Sequence, residues 1–105
     1  MQSNNEQQQQ QEEILQMTQK KVVVYTKNGC PKCDMTKTVL NGEGIKFDMI
    51  NIEDIDPETN ELTEEAQKAY DFIVDELGLR QMPVVIVEGQ EPFTGFEPEK
   101  LKAIK

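Results

Sequence analysis

Apolar and polar positions alternate in blocks along the chain, and the first blocks predict a strand, a helix and a second strand. The run VVVY at 22–25 is β-branched and aromatic, which is typical of a buried strand. Pro31 follows a polar turn and opens a helix predicted to end near position 41, because proline is favoured at the first helical position. The alternating apolar residues Ile45, Phe47 and Met49 then indicate a second strand over 45–52.

A second helix is predicted in the middle of the chain. Thr63 can cap its N-terminus, and Glu64 and Glu65 suit the positive end of the helix dipole. Apolar residues then recur at helical spacing until Gly78 ends the helix, so one apolar face is expected. The residues of that predicted face are Leu62, Ala66, Tyr70, Ile73 and Leu77.

The last part of the chain predicts two strands and a short helix. A strand over 84–88 turns into a shorter one at 92–94, and Pro98 opens a helix with Leu101 and Ile104 facing inward. The element order is therefore βαβ followed by αββα. We expect an α/β fold, with a mixed four-stranded sheet flanked by three helices, a parallel first strand pair and a later antiparallel hairpin.

Residues 1–19 differ in composition from the rest of the chain. They are polar and rich in glutamine, so they bury too little apolar surface to offset the entropy of ordering them. We expect a mobile tail without chemistry at 1–19 and one folded domain at 20–105. A segment that docks a partner protein is the alternative for the tail.

Charge and hydropathy limit the partners. The formal net charge is −9, whereas nucleic acids and anionic membranes demand a basic face, so neither partner is expected. The longest apolar run, at 82–87, is too short to span a bilayer, and no export signal is visible. Two cysteines in a C-x-x-C spacing fit a reducing compartment, which predicts a cytoplasmic protein.

The acidic stretch over 53–76 holds ten carboxylates, with Lys68 as its only basic residue. Its plain interpretation is a solvated helix face and connector that adds little to stability. The alternative is a surface that selects protein partners by charge.

Cys30 and Cys33 carry the candidate chemistry. Cys30 lies where the first strand gives way to the helix, so helix N–H groups and the dipole would stabilise its thiolate, with Lys27 and Lys32 nearby. A lowered pKa would make Cys30 the nucleophile at neutral pH. Cys33 lies one turn further on and would resolve the mixed disulfide by closing an intramolecular disulfide.

Three other interpretations of the cysteine pair stay open. Two inert buried thiols are one, although a disulfide closing so short a loop would stabilise almost nothing. A metal or cluster needs about four ligands, and with no histidine and no third cysteine it would have to bridge two chains. A redox-inert adaptor that keeps the fold only for docking is the third.

The chain resembles the glutaredoxin branch of the thioredoxin superfamily over roughly residues 21–105. The segment CPKC at 30–33 is similar to the glutaredoxin C-P-x-C centre, and Met82-Pro83 before a strand looks like the cis-proline of that superfamily. The segment FTGFEPE at 93–99 is similar to W-S-G-F-R-P-D of NrdH redoxins. The resemblance implies a thioredoxin fold and a monomeric dithiol–disulfide oxidoreductase that acts on protein disulfides without a bound cofactor. It also implies a substrate groove lined by Lys27, Pro31, Met82, Pro83, Thr94, Gly95 and Phe96.

The resemblance leaves two electron donors open. NrdH redoxins take electrons from thioredoxin reductase and NADPH and pass them to ribonucleotide reductase, which is the favoured expectation. Glutaredoxins use glutathione and typically hold it with a Gly-Gly pair, which the Gly95-Phe96-Glu97 segment lacks. Departures from the NrdH pattern are Phe93 in place of Trp and Glu97 in place of Arg.

Overall fold

The computed structural model describes residues 20–104 and contains the predicted sheet. Its strands are β1 (Val22–Thr26), β2 (Asp48–Asn51), β5 (Val84–Val87) and β6 (Phe93–Thr94), in the order β2-β1-β5-β6. β1 pairs in parallel with β2, whereas β5 is antiparallel to both β1 and β6. The sheet is therefore mixed and four-stranded, as the order of the elements predicts. The predicted tail at 1–19 lies outside the described residues.

Three helices accompany the sheet: α1 (Pro31–Gly42), α2 (Glu64–Tyr70) and α3 (Pro98–Lys102). Pro31 and Pro98 both stand at the start of their helices. Thr63 caps α2 as predicted, because its hydroxyl oxygen accepts a hydrogen bond from the Ala66 N–H at 3.1 Å. Among the helices formed by residues 20–104, none is both long and apolar enough to cross a membrane.

The sheet buries one hydrophobic cluster on each face, because successive strand residues point to opposite sides. The first, which we name the aliphatic cluster, contains Val22, Val24, Leu40, Ile45, Val85, Val87, Leu101 and Ile104. The second, named the disulfide cluster, contains Cys30, Cys33, Ile52, Ala69, Ile73, Val74, Met82 and Val84. The inward positions predicted for Leu101 and Ile104 are confirmed.

The predicted apolar face of the second helix is wrong in part. The α-helix gives way after Tyr70 to a π-helical segment at Asp71–Glu76, where the Leu77 N–H donates to the carbonyl oxygen of Phe72, five residues earlier. The wider turn changes the phase of the helix. Leu77, which follows the segment, is therefore 37% exposed, and Tyr70, which precedes it, is also 37% exposed. The residues buried instead, beside Ala66 and Ile73, are Ala69 and Val74.

Two further differences concern the strands. β2 begins at Asp48, whereas the strand predicted over 45–52 begins at Ile45. Met49 is exposed, although it belongs to the predicted alternation of apolar residues. The acidic connector also holds a small antiparallel hairpin, β3 (Ile55–Asp56) and β4 (Glu61–Leu62). Such short strands carry no periodic signal, so the pattern of apolar residues does not predict them.

Candidate active site

Cys30 and Cys33 form a disulfide at the N-terminus of α1. Cys30 is the N-cap residue, and its backbone carbonyl accepts hydrogen bonds from the N–H groups of Cys33 and Asp34 at 3.1 and 3.2 Å. The Cys33 N–H also points at the Cys30 sulfur, with 3.2 Å between nitrogen and Sγ. In the reduced protein this donor and the helix dipole favour a thiolate at Cys30.

Both cysteines are buried, but they differ in their position relative to the surface cleft. Cys30 is 8% exposed and lines a surface cleft, whereas Cys33 is 2% exposed and packs in the disulfide cluster. Of the two cysteines, Cys30 is therefore the one that borders the cleft. Cys33 is bonded to Cys30 and so within reach of any sulfur attached there. The arrangement suits an attacking thiol and a resolving thiol.

The cleft beside Cys30 is basic although the chain as a whole is strongly acidic. It has a volume of about 560 Å³, and three cationic side chains contribute to its walls: Lys27, Lys32 and Arg80. No carboxylate belongs to the lining, so the field in the cleft favours anionic groups on a bound molecule. The other lining residues are Gly29, Cys30, Pro31, Gln81 and Met82.

The Met82–Pro83 peptide bond is cis, as the family resemblance implies. The Met82 side chain belongs to the cleft wall and to the disulfide cluster, and Pro83 is fully buried behind it. The Pro83 carbonyl accepts a hydrogen bond from the Gly95 N–H at 2.9 Å. Gly95 has a φ of +79°, a backbone conformation that glycine adopts without steric cost.

The structure brings some of the predicted groove residues together and leaves others apart. Lys27, Pro31 and Met82 line the cleft beside Cys30. A second group, around β6, lies outside the lining: Thr94 pairs with Val84, Gly95 bonds to Pro83, and Phe96 packs against the aliphatic cluster. The substrate-binding role of all seven residues, including the fully buried Pro83, stays a prediction.

The sequence pattern does not predict two residues of the cleft, Arg80 and Gln81. They follow the end of the second helix and reach the cysteines only through the fold. One signal was present, since Arg80 is the only arginine of the chain and stands two residues before Met82-Pro83. The property that makes it relevant, proximity to Cys30, is tertiary.

Cavity volume alone does not locate the site. A larger cavity of about 1080 Å³ lies at the opposite end of the sheet, where Lys21, Val22, Phe47 and Glu88 contribute to its lining. It contains neither cysteine. Within residues 20–104, no group of three or more histidine, cysteine, aspartate or glutamate side chains is placed to hold a metal ion.

Tyr25 is a titratable residue of β1 that lies beside the disulfide cluster. Its ring contacts Phe72 with 6.3 Å between ring centroids, and both side chains pack against the disulfide cluster. Burial raises the pKa of the Tyr25 phenol above its ordinary value, because the charged phenolate loses hydration.

A thioredoxin-like fold with a disulfide at a helix N-terminus defines the class of thiol–disulfide oxidoreductases. The chain belongs to the glutaredoxin family, whose model matches residues 22–91. It is similar to the glutaredoxin-like protein NrdH of Escherichia coli, with 33% identity over 84 residues, covering 80% of this chain and 88% of the relative. The NrdH protein of Lactococcus lactis is 39% identical over 80 residues, covering 76% and 93% of the two chains.

A solved structure agrees with these relatives. The NrdH-redoxin of Escherichia coli, described as a glutaredoxin-like protein with a thioredoxin-like activity profile, has a TM-score of 0.59 and 30% identity. The match covers 81% of this chain and 95% of that one. The chain is therefore an NrdH-type glutaredoxin-like redoxin, and the predicted thioredoxin fold is confirmed.

Proposed function

We propose that this redoxin reduces protein disulfides through Cys30 and Cys33. The Cys30 thiolate attacks one sulfur of the partner disulfide, and the other partner sulfur leaves as a thiolate that takes a proton from solvent. The Cys33 thiolate then attacks the Cys30 sulfur, which forms the Cys30–Cys33 disulfide and releases the second partner thiol. Two electrons pass from the redoxin to its partner, and no prosthetic group takes part.

The observation that carries this proposal is the place of Cys30. It caps a helix, receives the Cys33 N–H at 3.2 Å and lines an open cleft, while its disulfide partner is buried. A helix N-terminus lowers the pKa of a thiol and so raises the thiolate fraction at neutral pH. Access and activation thus coincide at one sulfur.

We further propose thioredoxin reductase with NADPH as the electron source and ribonucleotide reductase as a target. The NrdH relatives support this choice, as does the thioredoxin-like activity of the Escherichia coli redoxin. We also propose that the protein is a monomer in the cytoplasm. Its folded domain would be residues 20–105, and residues 1–19 would be a tail without chemistry. Thr94, Gly95 and Phe96 would border the bound segment of the target.

Glutathione is the second candidate reductant, and the cationic cleft supports it. Lys27, Lys32 and Arg80 could pair with the carboxylates of the tripeptide near Cys30. Against it stands the missing Gly-Gly pair at Gly95-Phe96. The same cations would suit a protein disulfide flanked by acidic residues.

The deciding experiment is insulin-disulfide reduction with NADPH in two arms. One arm contains thioredoxin reductase, and the other contains glutathione with glutathione reductase. We expect turnover in the first arm, with thioredoxin as the positive control for the first arm and a glutathione-dependent glutaredoxin as the positive control for the second. Turnover only in the second arm would make the protein a glutathione-dependent glutaredoxin. Silence of the redoxin in both arms, beside an active control, would contradict disulfide reduction.

Two rival functions have their own tests. A cluster that bridges two chains predicts a coloured, metal-containing dimer, so metal analysis and gel filtration separate it from a colourless monomer. A redox-inert adaptor predicts that Cys30→Ser leaves its cellular function intact. A redoxin predicts that the same substitution abolishes it.

A further inference from the structure

Two side-chain hydrogen bonds connect the end of β2 with the loop that precedes Cys30, and a third lies within the end of β2. The Glu53 carboxylate accepts from the backbone N–H of Asn28 at 2.9 Å. The Asn51 amide nitrogen donates to the Asn28 side-chain oxygen at 2.8 Å, and the Asn51 oxygen accepts from the Glu53 N–H at 2.8 Å. We name this set the Asn28 network.

The network begins where the backbone ladder of the sheet ends. Thr26 is the last residue of β1 and pairs with Asn51, and the Ile52 N–H still donates to the Thr26 carbonyl at 2.9 Å. The chain then leaves the sheet for three residues, 27–29, before Cys30 caps α1. The Asn28 network holds this short segment against the end of β2.

The held loop is also part of the reaction site. Lys27 and Gly29, the neighbours of Asn28 on either side, both line the cleft with Cys30. Gly29 has a φ of +60°, so the chain turns sharply just before the nucleophile. A displacement of Asn28 would therefore change the direction in which Cys30 enters the helix and the distance from its sulfur to the Cys33 N–H.

We propose that Asn51 and Glu53 are positioning residues, which act through Asn28 to hold Cys30 in the N-cap geometry that stabilises its thiolate. The proposal rests on the proposed function, in which the Cys30 thiolate is the nucleophile. Asn51 and Glu53 themselves touch neither the sulfur nor the cleft. The hydrogen bond from the Cys33 N–H to Sγ favours the thiolate only while the loop keeps the sulfur in place.

An effect of the Glu53 charge alone would shift the pKa of the Cys30 thiol in the opposite direction. The direction of the shift therefore separates a charge effect from a positioning role. The charged groups around Cys30 are Lys27, Lys32 and Arg80 in the cleft, Asp34 in the first turn of α1 and Glu53 behind the loop. A carboxylate that acted only through its negative charge would oppose the thiolate. Removing that charge would then lower the pKa of the Cys30 thiol, whereas loosening the loop raises it.

The experiment compares Glu53→Ala with Glu53→Gln, which carry the same charge. Glutamine keeps an oxygen for the Asn28 N–H, and alanine does not. In the reduced full chain, the rate of Cys30 alkylation by iodoacetamide is measured from pH 5 to 9, with the modified cysteine located by mass spectrometry. We expect a higher thiol pKa in Glu53→Ala and alkylation at pH 6 slower by up to about tenfold, the scale of one net hydrogen bond. Equal pKa values in the two variants would overturn the proposal.

A second pair of variants keeps the net charge constant. Asn28→Ala and Asn51→Ala each remove one side of the same hydrogen bond, so we expect each to raise the thiol pKa and the double variant to add little. Fully additive effects, or none, would contradict a shared network. Glu91→Ala, an exposed position between β5 and β6, is the charge control and should alkylate like the wild type.

These readouts separate failure of the proposal from failure of the function. Alkylation needs neither a reductase nor a protein substrate, so it reports on Cys30 even in a redoxin that turns over nothing. Silence of the wild type in both insulin arms would overturn disulfide reduction. Equal alkylation of Glu53→Ala and Glu53→Gln would overturn the positioning role alone.

Discussion

The two faces of the sheet bury different kinds of residue, although the strands between them are shared. The aliphatic cluster consists of valine, leucine and isoleucine from the sheet, α1 and α3 and from Ile45. The disulfide cluster contains both cysteines and Met82, together with one alanine and one valine of the second helix, Ala69 and Val74. Two irregular features contribute residues to the disulfide cluster: the π-helical segment provides Ile73 and Val74, and the cis peptide bond involves Met82.

The difference teaches where packing suffices and where chemistry adds demands. Aliphatic side chains need only close packing, so regular elements with alternating positions satisfy the first face. The second face must also hold the Cys30–Cys33 disulfide and shape a cleft beside Cys30. Regular geometry does not meet those demands by itself, so the departures from it concentrate there.

Removing the cysteines should have the largest effect and should spare the aliphatic face. We expect Cys30→Ser to lose turnover by on the order of 10³-fold or more, as when other nucleophiles are removed. Cys33→Ser should still attack but stall as a mixed disulfide, detectable by mass spectrometry. Met35→Ser, an exposed position on the same helix, should retain turnover. A Cys30→Ser protein that still reduces insulin would refute the assignment of the nucleophile.

A substitution in the aliphatic cluster should affect stability and leave the chemistry intact. Leu101 in α3 is fully buried in the aliphatic cluster, and Leu101→Ala should reduce the free energy of unfolding by about 2–5 kcal/mol. The matched control is Leu77→Ala at a partly exposed leucine, with an expected loss of about 1 kcal/mol or less. Urea unfolding measures both. Turnover per folded molecule should be unchanged, and a specific loss of turnover in Leu101→Ala would break the separation of the two faces.

The two faces also differ in how far the sequence predicts them. β1, the helix starts at Pro31 and Pro98 and the inward Leu101 depend on local signals, and all are confirmed. The phase change after Tyr70 comes from one extra residue in a helical turn, which a period of 3.6 cannot represent.

The candidate site divides in the same way. The cysteine pair and Met82 follow from motif and resemblance, and the structure places them together. Arg80 and the Asn28 network depend on distances between separate segments, and no local pattern encodes such distances. Sequence thus predicts the cysteine pair better than its surroundings.

The N-cap of α2 tests a local contribution on the disulfide side. The Thr63 hydroxyl accepts from the Ala66 N–H, so Thr63→Ala should cost about 1 kcal/mol of unfolding free energy. Thr38 in α1 serves as the control, because its hydroxyl only donates back to the Asp34 carbonyl in the preceding turn. Thr38→Ala should therefore change the stability little. Equal losses in urea unfolding would contradict the capping role.

The smallest expected effect appears only at alkaline pH and only on the disulfide side. Burial raises the pKa of Tyr25 in the folded protein above the value of about 10 in the unfolded chain. Between those two values the folded state holds a proton that the unfolded state has lost, so its stability falls as pH rises. The contribution is complete below pH 10 and disappears as pH passes the folded pKa.

Tyr25→Phe isolates that contribution, because phenylalanine keeps the ring beside Phe72 and cannot ionise. Urea unfolding of both proteins at pH 8 and pH 11 should show the wild type losing more stability than the variant over this interval. The comparison is internal, so every other titratable group, which both proteins share, cancels. The aliphatic cluster contains no titratable side chain to produce such a difference. The stability difference between wild type and variant could instead stay constant with pH. The Tyr25 phenol would then ionise equally in the folded and unfolded states, and the disulfide face would be as insensitive to alkali as the aliphatic one.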